Sequence, residues 1–346
     1  MTDMEFATRL LHWFDAHGRH DLPWQHPRAP YRVWVAEVML QQTQVATVIP
    51  YFQRFMAAFP DLPALAAAER DAVLALWSGL GYYSRARNLH RAAQRCVEQH
   101  DGALPRDPAA LGALPGIGRS TAAAILAQAF GDRHAILDGN VKRVLCRVFG
   151  IDGYPGRAAI EKRLWPLAES LLPSARLADY TQAIMDFGAT LCTRHAPRCA
   201  DCPLLTACTA YREQRVAELP TPRPSKALPR REAHLVLLTD ASEQVLMQRR
   251  APVGIWAELW SLPQFDDQAA AAEFAAGMGA TEMRPGTAIE HGFTHFHLRL
   301  TPWRGKVTRE RSSIADNPAQ RWIGIDGALA MSLPQPIRRL LESEFA

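Results

Sequence analysis

The chain has 346 residues, 48% hydrophobic and 21% charged, with a formal net charge of +4. That length accommodates two domains, each with apolar content for its own core, and no apolar run is long enough to make a membrane-spanning helix. The charge is uneven: residues 1–231 carry 28 Lys and Arg against 21 Asp and Glu, and residues 232–346 carry 11 against 14, so the first part suits a polyanionic partner. Met1-Thr2-Asp3-Met4-Glu5 lacks the basic and apolar regions of a secretory signal, and a soluble cytoplasmic protein with no membrane partner is expected.

From residue 1 to about 210, apolar residues recur at spacings of three and four between short Gly/Pro breaks, which predicts helices throughout. The first chemical candidate is Glu37, in Tyr31-Arg-Val-Trp-Val-Ala-Glu-Val-Met-Leu-Gln-Gln-Thr43. On a helix it shares a mostly apolar face with Val33, Trp34, Leu40 and Gln41. Burial without a cationic partner raises a carboxyl pKa and keeps a proton available for general-acid work. A Glu that bonds a backbone group or reaches solvent fits the same pattern. Gln41-Gln42-Thr43 follows with amides suited to base edges or to a solvated helix end.

Trp77-Ser-Gly-Leu-Gly-Tyr-Tyr-Ser-Arg-Ala-Arg87 sets two tyrosines on a glycine turn ahead of two arginines, a mix suited to stacking on bases and gripping phosphates, or to a turn packed down by an aromatic. Leu114-Pro-Gly-Ile-Gly-Arg-Ser-Thr-Ala122 then reads as a hairpin between two helices. Its glycines let a phosphate approach the backbone, and the following helix aims free N–H groups and its positive dipole end outward. An ordinary tight turn is the competing reading. Asp138, in Ala135-Ile-Leu-Asp-Gly-Asn-Val-Lys-Arg143, suits the N-cap of a helix running to Phe149. Held near Glu37, it would also complete a pair of unlike carboxyls, one protonated and one ionised, as glycosidic-bond cleavage requires. Capping and catalysis are compatible.

Four of the six cysteines follow as Cys192-x6-Cys199-x2-Cys202-x5-Cys208. In an intracellular chain this points to metal rather than disulfides, and four close thiolates suit tetrahedral zinc or a [4Fe–4S] cluster. Cys96 and Cys146 stand alone on apolar helical faces and read as core. Residues 216–231, with Pro220, Pro222, Pro224 and Pro229 among Arg, Lys and Ser, read as an extended linker. Beyond it, residues 234–238, 244–248 and 293–298 read as strands and 269–278 and 336–344 as helices, an α+β domain over 232–346.

Taken together, these segments resemble the MutY family of adenine-specific DNA glycosylases, helix-hairpin-helix enzymes with a MutT-like C-terminal domain. The likeness covers nearly the whole chain. It is carried by Glu37 in Glu-Val-Met-Leu-Gln-Gln-Thr, Gly-Leu-Gly-Tyr-Tyr (79–83), Leu-Pro-Gly-Ile-Gly-Arg (114–119), Ile-Leu-Asp-Gly-Asn-Val-Lys-Arg (136–143) and the cysteine loop. In the second domain it rests on Leu-Pro-Gln-Phe (262–265) and Phe-Thr-His-Phe-His-Leu (293–298). It implies an all-α glycosylase domain over 1–215 containing a [4Fe–4S] loop at 192–208, the linker at 216–231, and a MutT/Nudix-like domain over 232–346.

The resemblance implies base-excision repair of duplex DNA in which adenine lies opposite 8-oxoguanine or, more weakly, guanine. The adenine is flipped out and its N-glycosidic bond hydrolysed, flipping being required because the bond is inaccessible inside the stack. Glu37 would protonate adenine N7, Asp138 would stabilise the oxocarbenium-like sugar, and Asn140 would help place the reacting groups. Arg19, Trp24 and Gln182 match positions lining the adenine pocket, and Gln42 and Tyr82 match residues that wedge beside the lesion. Gly116, Gly118, Arg119 and Lys142 fall on the DNA-binding segments. Thr294 and His295 fall on the lesion-reading loop, and Cys192, Cys199, Cys202 and Cys208 would hold the [4Fe–4S] cluster. Monomeric action in a bacterial, nucleoid-associated setting goes with the family.

Two departures carry information. Ser120 stands in the catalytic region where bifunctional relatives such as endonuclease III place a Schiff-base lysine, which argues for hydrolysis without strand cleavage. From Gly254, the Glu of a Nudix metal box would fall at Trp260, so the second domain should recognise rather than hydrolyse. The rivals are an endonuclease III-like glycosylase/lyase, opposed by Ser120 and the second domain, and a non-catalytic DNA-binding protein, opposed by Glu37 and Asp138 together.

Overall fold

The computed structural model describes residues 3–224, 227–307, 317 and 319–345. It divides into two compact units, residues 1–68 with 88–225, and residues 69–87 with 226–346. Among the described residues no helix is long and apolar enough to cross a membrane.

The first 212 residues are helical: α1 (Asp3–His17), α2 (Pro30–Leu40), α3 (Val45–Ala58), α4 (Leu62–Ala67), α5 (Arg70–Trp77), α6 (Ser84–Gln99), α7 (Pro108–Gly112), α8 (Arg119–Phe130), α9 (Gly139–Phe149), α10 (Ala158–Ser170), α11 (Leu177–Asp186) and α12 (Thr209–Arg212). Of these, α5 and the start of α6 group with the second unit. The helix of Glu37 is α2, which begins at Pro30 in the first turn and buries Val33, Trp34, Val35, Ala36, Val38 and Met39. It packs on α8, which is almost wholly buried from Ala122 to Gln128 because small alanines let its neighbours close in. Helix α9 starts at Asp138, whose side chain accepts from the Val141 N–H at 2.8 Å, so the N-cap reading describes its backbone role. After α11, one π-helical turn (Phe187–Leu191) leads into the cysteine loop, and such turns are frequent at functional sites.

The hairpin joins α7 to α8. Gly116 takes φ +79°, and a Cβ there would lie 2.8 Å from Asn88 Cβ, so only glycine fits. Gly118, the N-cap of α8, has φ −91° and open space where its Cβ would be.

Of the proline-rich stretch, residues 225 and 226 lie outside the described residues. Its first part is anchored to the helical unit: Leu219 is buried and its carbonyl accepts from Arg147 Nε at 2.7 Å, and Thr221 Oγ1 accepts from the Gly153 N–H at 3.0 Å.

The second unit is built on one mixed sheet of the eight described strands: β1 (Arg230–Thr239), β2 (Val245–Arg249), β3 (Trp260–Ser261), β4 (Gln264–Phe265), β5 (Ala280–Pro285), β6 (Ile289–Gly292), β7 (His297–Val307) and β8 (Gln320–Ile323). The order along the main path is β3-β2-β1-β7-β5. Its central pair, β1 and β7, is parallel, Arg230 facing His297 and Thr239 facing Lys306. Alternation along β1 feeds two cores, Leu235 and Leu237 toward α14 (Ile325–Ala330) and α15 (Gln335–Glu344), and Val236 and Leu238 toward α13 (Gln268–Gly277). Residues 293–296 depart from the strand expected there. They form the turn between β6 and β7, closed by the Phe293 N–H on the Phe296 carbonyl at 2.8 Å. Phe296 is buried and stacks on Phe293, centroids 4.6 Å apart, while Thr294 and His295 are exposed. The apolar-polar alternation that suggests a strand is here produced by two aromatics anchoring the ends of a turn.

Candidate active site

A cleft of about 950 Å³ opens in the helical unit, walled by α2, the start of α3, α8, the segment before α9, α9 itself and the end of α11. Its walls bring together eight of the residues singled out in the sequence: Arg19, Trp24, Glu37, Gln42, Ser120, Asp138, Asn140 and Gln182.

Glu37 projects from the apolar face of α2, and its Oε1 accepts from Gln128 Nε2 on α8 at 2.8 Å. Desolvation is the main force on this carboxyl, the Asp138 charge adds to it, and the Gln128 hydrogen bond opposes it; the pKa is pushed up from 4.5 to about 7. A proton is therefore held on this acid near neutrality.

Asp138 stands in a different environment. Burial raises its pKa as well, but here the Val141 and Asn140 N–H groups, the Arg143 charge and Asn140 Nδ2 at 3.4 Å all favour the ionised form. These donors are what a helix N-terminus offers an anion. Asn140 is fixed in turn by Arg143, whose Nη2 donates to Asn140 Oδ1 and to the Gly188 carbonyl, each at 2.7 Å, while its Nε donates to the Cys192 carbonyl at 2.8 Å. Gly188 permits this approach, since a Cβ there would lie 2.6 Å from Asn140 Cβ.

Arg19, Trp24 and Gln182 line the same cleft as a second group. Trp24 is buried against Phe52, edge to face, with centroids 5.4 Å apart. Asp186, buried at the end of α11, organises the other two: Oδ1 accepts from Gln182 Nε2 at 2.7 Å and from Arg19 Nε at 2.9 Å, and Oδ2 accepts from the Arg19 backbone N–H at 2.8 Å. Planar aromatic surface beside a guanidinium and an amide suits a flat heteroaromatic ligand with polar edges.

Ser120 sits on the cleft wall, one residue into α8, and its Oγ accepts from the Leu137 N–H at 3.0 Å, tying α8 to the segment that carries Asp138. Among the described residues, no lysine lines the cleft. Lys142 lies outside that lining, ion-paired through Nζ with Glu161. Gln42 and Tyr82 are both exposed and both have positive φ, 59° and 48°. Backbone held in this region by non-glycine residues clusters at functional sites. Gln42 lies at the cleft, whereas Tyr82 belongs to the second unit, its ring 5.4 Å from the Arg85 guanidinium. Arg119 follows the hairpin and stacks 3.8 Å over the Trp165 ring while pairing with Glu169 at 2.7 Å. Thr294 and His295 occupy the β6–β7 turn of the second unit, and Trp260 is buried in β3, so the position where a Nudix box would place its first Glu belongs to the core.

The four cysteines of the loop share the walls of one small, mainly apolar pocket with Val148, Leu191 and Leu205. Among the described residues, no group of three or more His, Cys, Asp or Glu is arranged to hold a metal ion. Burial, then the neighbouring thiols, drives Cys202 up to about 12. Backbone N–H groups of Leu204 and of Ala210 and Tyr211 act on Cys202 and Cys208 in the opposite sense, and Arg147 Nη1 lies 3.4 Å from Cys192 Sγ. Four soft sulfurs lining one pocket are the donor type that a thiolate-liganded group would use, once its charge had drawn off their protons.

Comparisons with known proteins bear on the family and the fold. Residues 35–170 match the HhH-GPD superfamily of base excision DNA repair proteins, and residues 234–343 match the NUDIX domain. The adenine DNA glycosylase of Buchnera aphidicola from Acyrthosiphon pisum is 35% identical over 99% of this chain and 98% of its own length. The chain belongs to the adenine DNA glycosylase family. It is a DNA glycosylase of base-excision repair, a helix-hairpin-helix unit followed by a Nudix-like α+β unit. The human member of the family is also 35% identical, over 92% of this chain and 70% of its length. Among solved structures, a thermostable thymine-DNA glycosylase superposes with a TM-score of 0.56 at 29% identity, covering 61% of this chain and 97% of that one. A trapped endonuclease III–DNA covalent intermediate superposes with a TM-score of 0.53 at 22% identity, covering 62% and 99%, and shares the fold.

Sequence reasoning missed Gln128, Arg143 and Asp186, which tie the cleft residues in place, and Arg147, which ties down the cysteine loop. Asp186 and Arg147 are charged groups among apolar helix residues, and each is buried with several partners. A charge on an apolar face was the available signal. It marks burial without naming the partner.

Proposed function

We propose that this glycosylase excises adenine paired with 8-oxoguanine, or more weakly with guanine, by hydrolysis and without strand cleavage. The observation that carries the reading is the single cleft whose lining brings Glu37 and Asp138 together with Arg19, Trp24 and Gln182. The flipped adenine stacks by Trp24 with its polar edge toward Arg19 and Gln182. Glu37 gives its proton to adenine N7. The C1′–N9 bond then breaks with its electron pair passing to the base, which leaves neutral. Asp138, as a carboxylate held by its cap donors, faces the positive charge developing on the sugar, and Asn140 holds the reacting groups in place. Water adds to C1′, and the proton it loses restores Glu37.

Ser120 supports simple hydrolysis, since among the described residues no lysine amine lines the cleft to form a Schiff base. Gly116, Gly118 and Arg119 seat a backbone phosphate at the start of α8, with Lys142 as a further DNA contact. Gln42 and Tyr82 wedge into the stack, and Thr294 and His295 read the base opposite. Cys192, Cys199, Cys202 and Cys208 would hold a [4Fe–4S] cluster, which would tie the loop into a fixed shape. The support for it is that all four cysteines line one pocket. Action as a cytoplasmic, nucleoid-associated monomer completes the reading.

The test is single-turnover base release from duplexes placing adenine opposite 8-oxoguanine, guanine or thymine, with a thymine-glycol duplex in parallel, each with and without alkali. Adenine loss opposite 8-oxoguanine, with breaks only after alkali, is the expected result. Breaks at thymine glycol without alkali would move the protein to an endonuclease III-like lyase.

A further inference from the structure

We propose that Gln128 is a positioning residue for base release: it determines which oxygen of Glu37 carries the proton delivered to the leaving adenine. This rests on the reading of Glu37 as general acid. Gln128 is 3% exposed on α8, following a run of six apolar buried residues from Ala122 to Ala127. A primary amide in such a place is costly unless it is paired, and its Nε2 lies 2.8 Å from Glu37 Oε1.

The orientation has a consequence for the proton. An amide N–H can serve a carboxyl oxygen in either protonation state, whereas an amide oxygen could pair only with the protonated acid and would sequester its hydrogen. With Oε1 engaged as acceptor, the proton resides on Oε2, the oxygen left for the cleft. Once that proton has passed to the base, the same N–H stabilises the carboxylate left behind, which lowers the cost of the transfer. The charged groups sharing the cleft with Glu37 are Asp138, Arg19, Arg143 and Arg194, and of these Asp138 acts on its titration, in the direction opposite to Gln128. The amide and the aspartate thus bracket the acid from two elements, α8 and the segment before α9.

The experiment is single-turnover adenine release as a function of pH for the full-length protein, Gln128→Leu, Gln128→Met and Glu37→Gln, with duplex affinity measured alongside. Both apolar variants should bind the duplex within about twofold of wild type, and their low-pH plateau should fall roughly tenfold or more, within the range of general-acid contributions. Their alkaline limb should move to higher pH by about one unit, because a hydrogen bond that favours the ionised acid has gone. A lower plateau with an unmoved limb would reduce Gln128 to packing, and an unchanged plateau would overturn the proposal. Should the leucine variant not fold, the flexible and nearly isosteric methionine variant carries the test. An active Glu37→Gln would instead sink the general-acid reading, so the two failures are separable.

Discussion

At the scale of single residues, Glu37 and Asp138 show how one helical framework gives two carboxyls different surroundings. Glu37 meets one neutral amide in an apolar setting, while Asp138 meets backbone N–H groups at a helix N-terminus with a guanidinium nearby. The buried state of Glu37 has a stability consequence. Its pKa rises from 4.5 to about 7 on folding, so the folded protein keeps a proton that the unfolded chain releases between those values. Stability contributed by this group is full below the lower value and is lost as pH rises through the upper one. Glu37→Gln, which mimics the protonated acid, should therefore match wild type in acid and exceed it by up to about 3 kcal/mol near pH 8. Denaturant melts at the two pH values check this, and equal stability at both would mean that the carboxyl is not desolvated. For Asp138, capping and catalysis separate by substitution. Asn caps as well as Asp, so Asp138→Asn should keep the melting temperature while base release falls at least about a hundredfold. Asp138→Ala should add a loss of about 1 kcal/mol in stability.

At the scale of elements, the helices of the first unit were legible because each buries one face, and spacing reports that directly. The cap of α9 and the glycine hairpin were legible because backbone geometry restricts the residue type. Gln128, Arg143 and Asp186 were not, since their roles exist only where α2, α8, α9, α11 and the π-turn converge. Residues 293–296 misled for a related reason: Phe293 and Phe296 stack across a turn, and their spacing imitates a pleat. The hairpin glycines allow a test at this scale. Gly116→Ala meets both a positive φ and the Asn88 side chain, and should lower stability by about 1–3 kcal/mol and weaken DNA binding with it. Gly118→Ala meets neither obstacle, its φ being −91° with open space beyond. It should leave the melting curve unchanged, yet weaken duplex binding and flatten its salt dependence by about one counterion, because the added methyl stands where a phosphate approaches. If Gly118→Ala bound DNA normally, the hairpin would be a structural turn.

At the scale of the whole molecule, the proposed function assigns chemistry to one unit and discrimination to the other. The helical unit holds the paired carboxyls and most of the positive charge, which suits a contact with duplex backbone that carries no sequence information. The Nudix-like unit has its sheet and both cores intact, but Trp260 occupies a box position where a metal-binding Glu would stand. The departure at that position goes with the proposal that this unit recognises rather than hydrolyses, because one fold can carry different functions. In the β6–β7 turn, to which the proposal assigns this recognition, Phe293 stacks on Phe296 while Thr294 and His295 expose a hydroxyl and an imidazole 3.4 Å apart. These two groups can read a polar base edge, and each good hydrogen bond contributes roughly 1 kcal/mol of discrimination. Thr294→Ala with His295→Ala in the full-length protein should therefore slow adenine release opposite 8-oxoguanine by about tenfold or more, while release opposite guanine stays near its wild-type rate. The preference for the lesion would shrink and the chemical step would survive. Equal losses on both duplexes would instead mean that the turn supports the protein as a whole and that the lesion is read elsewhere.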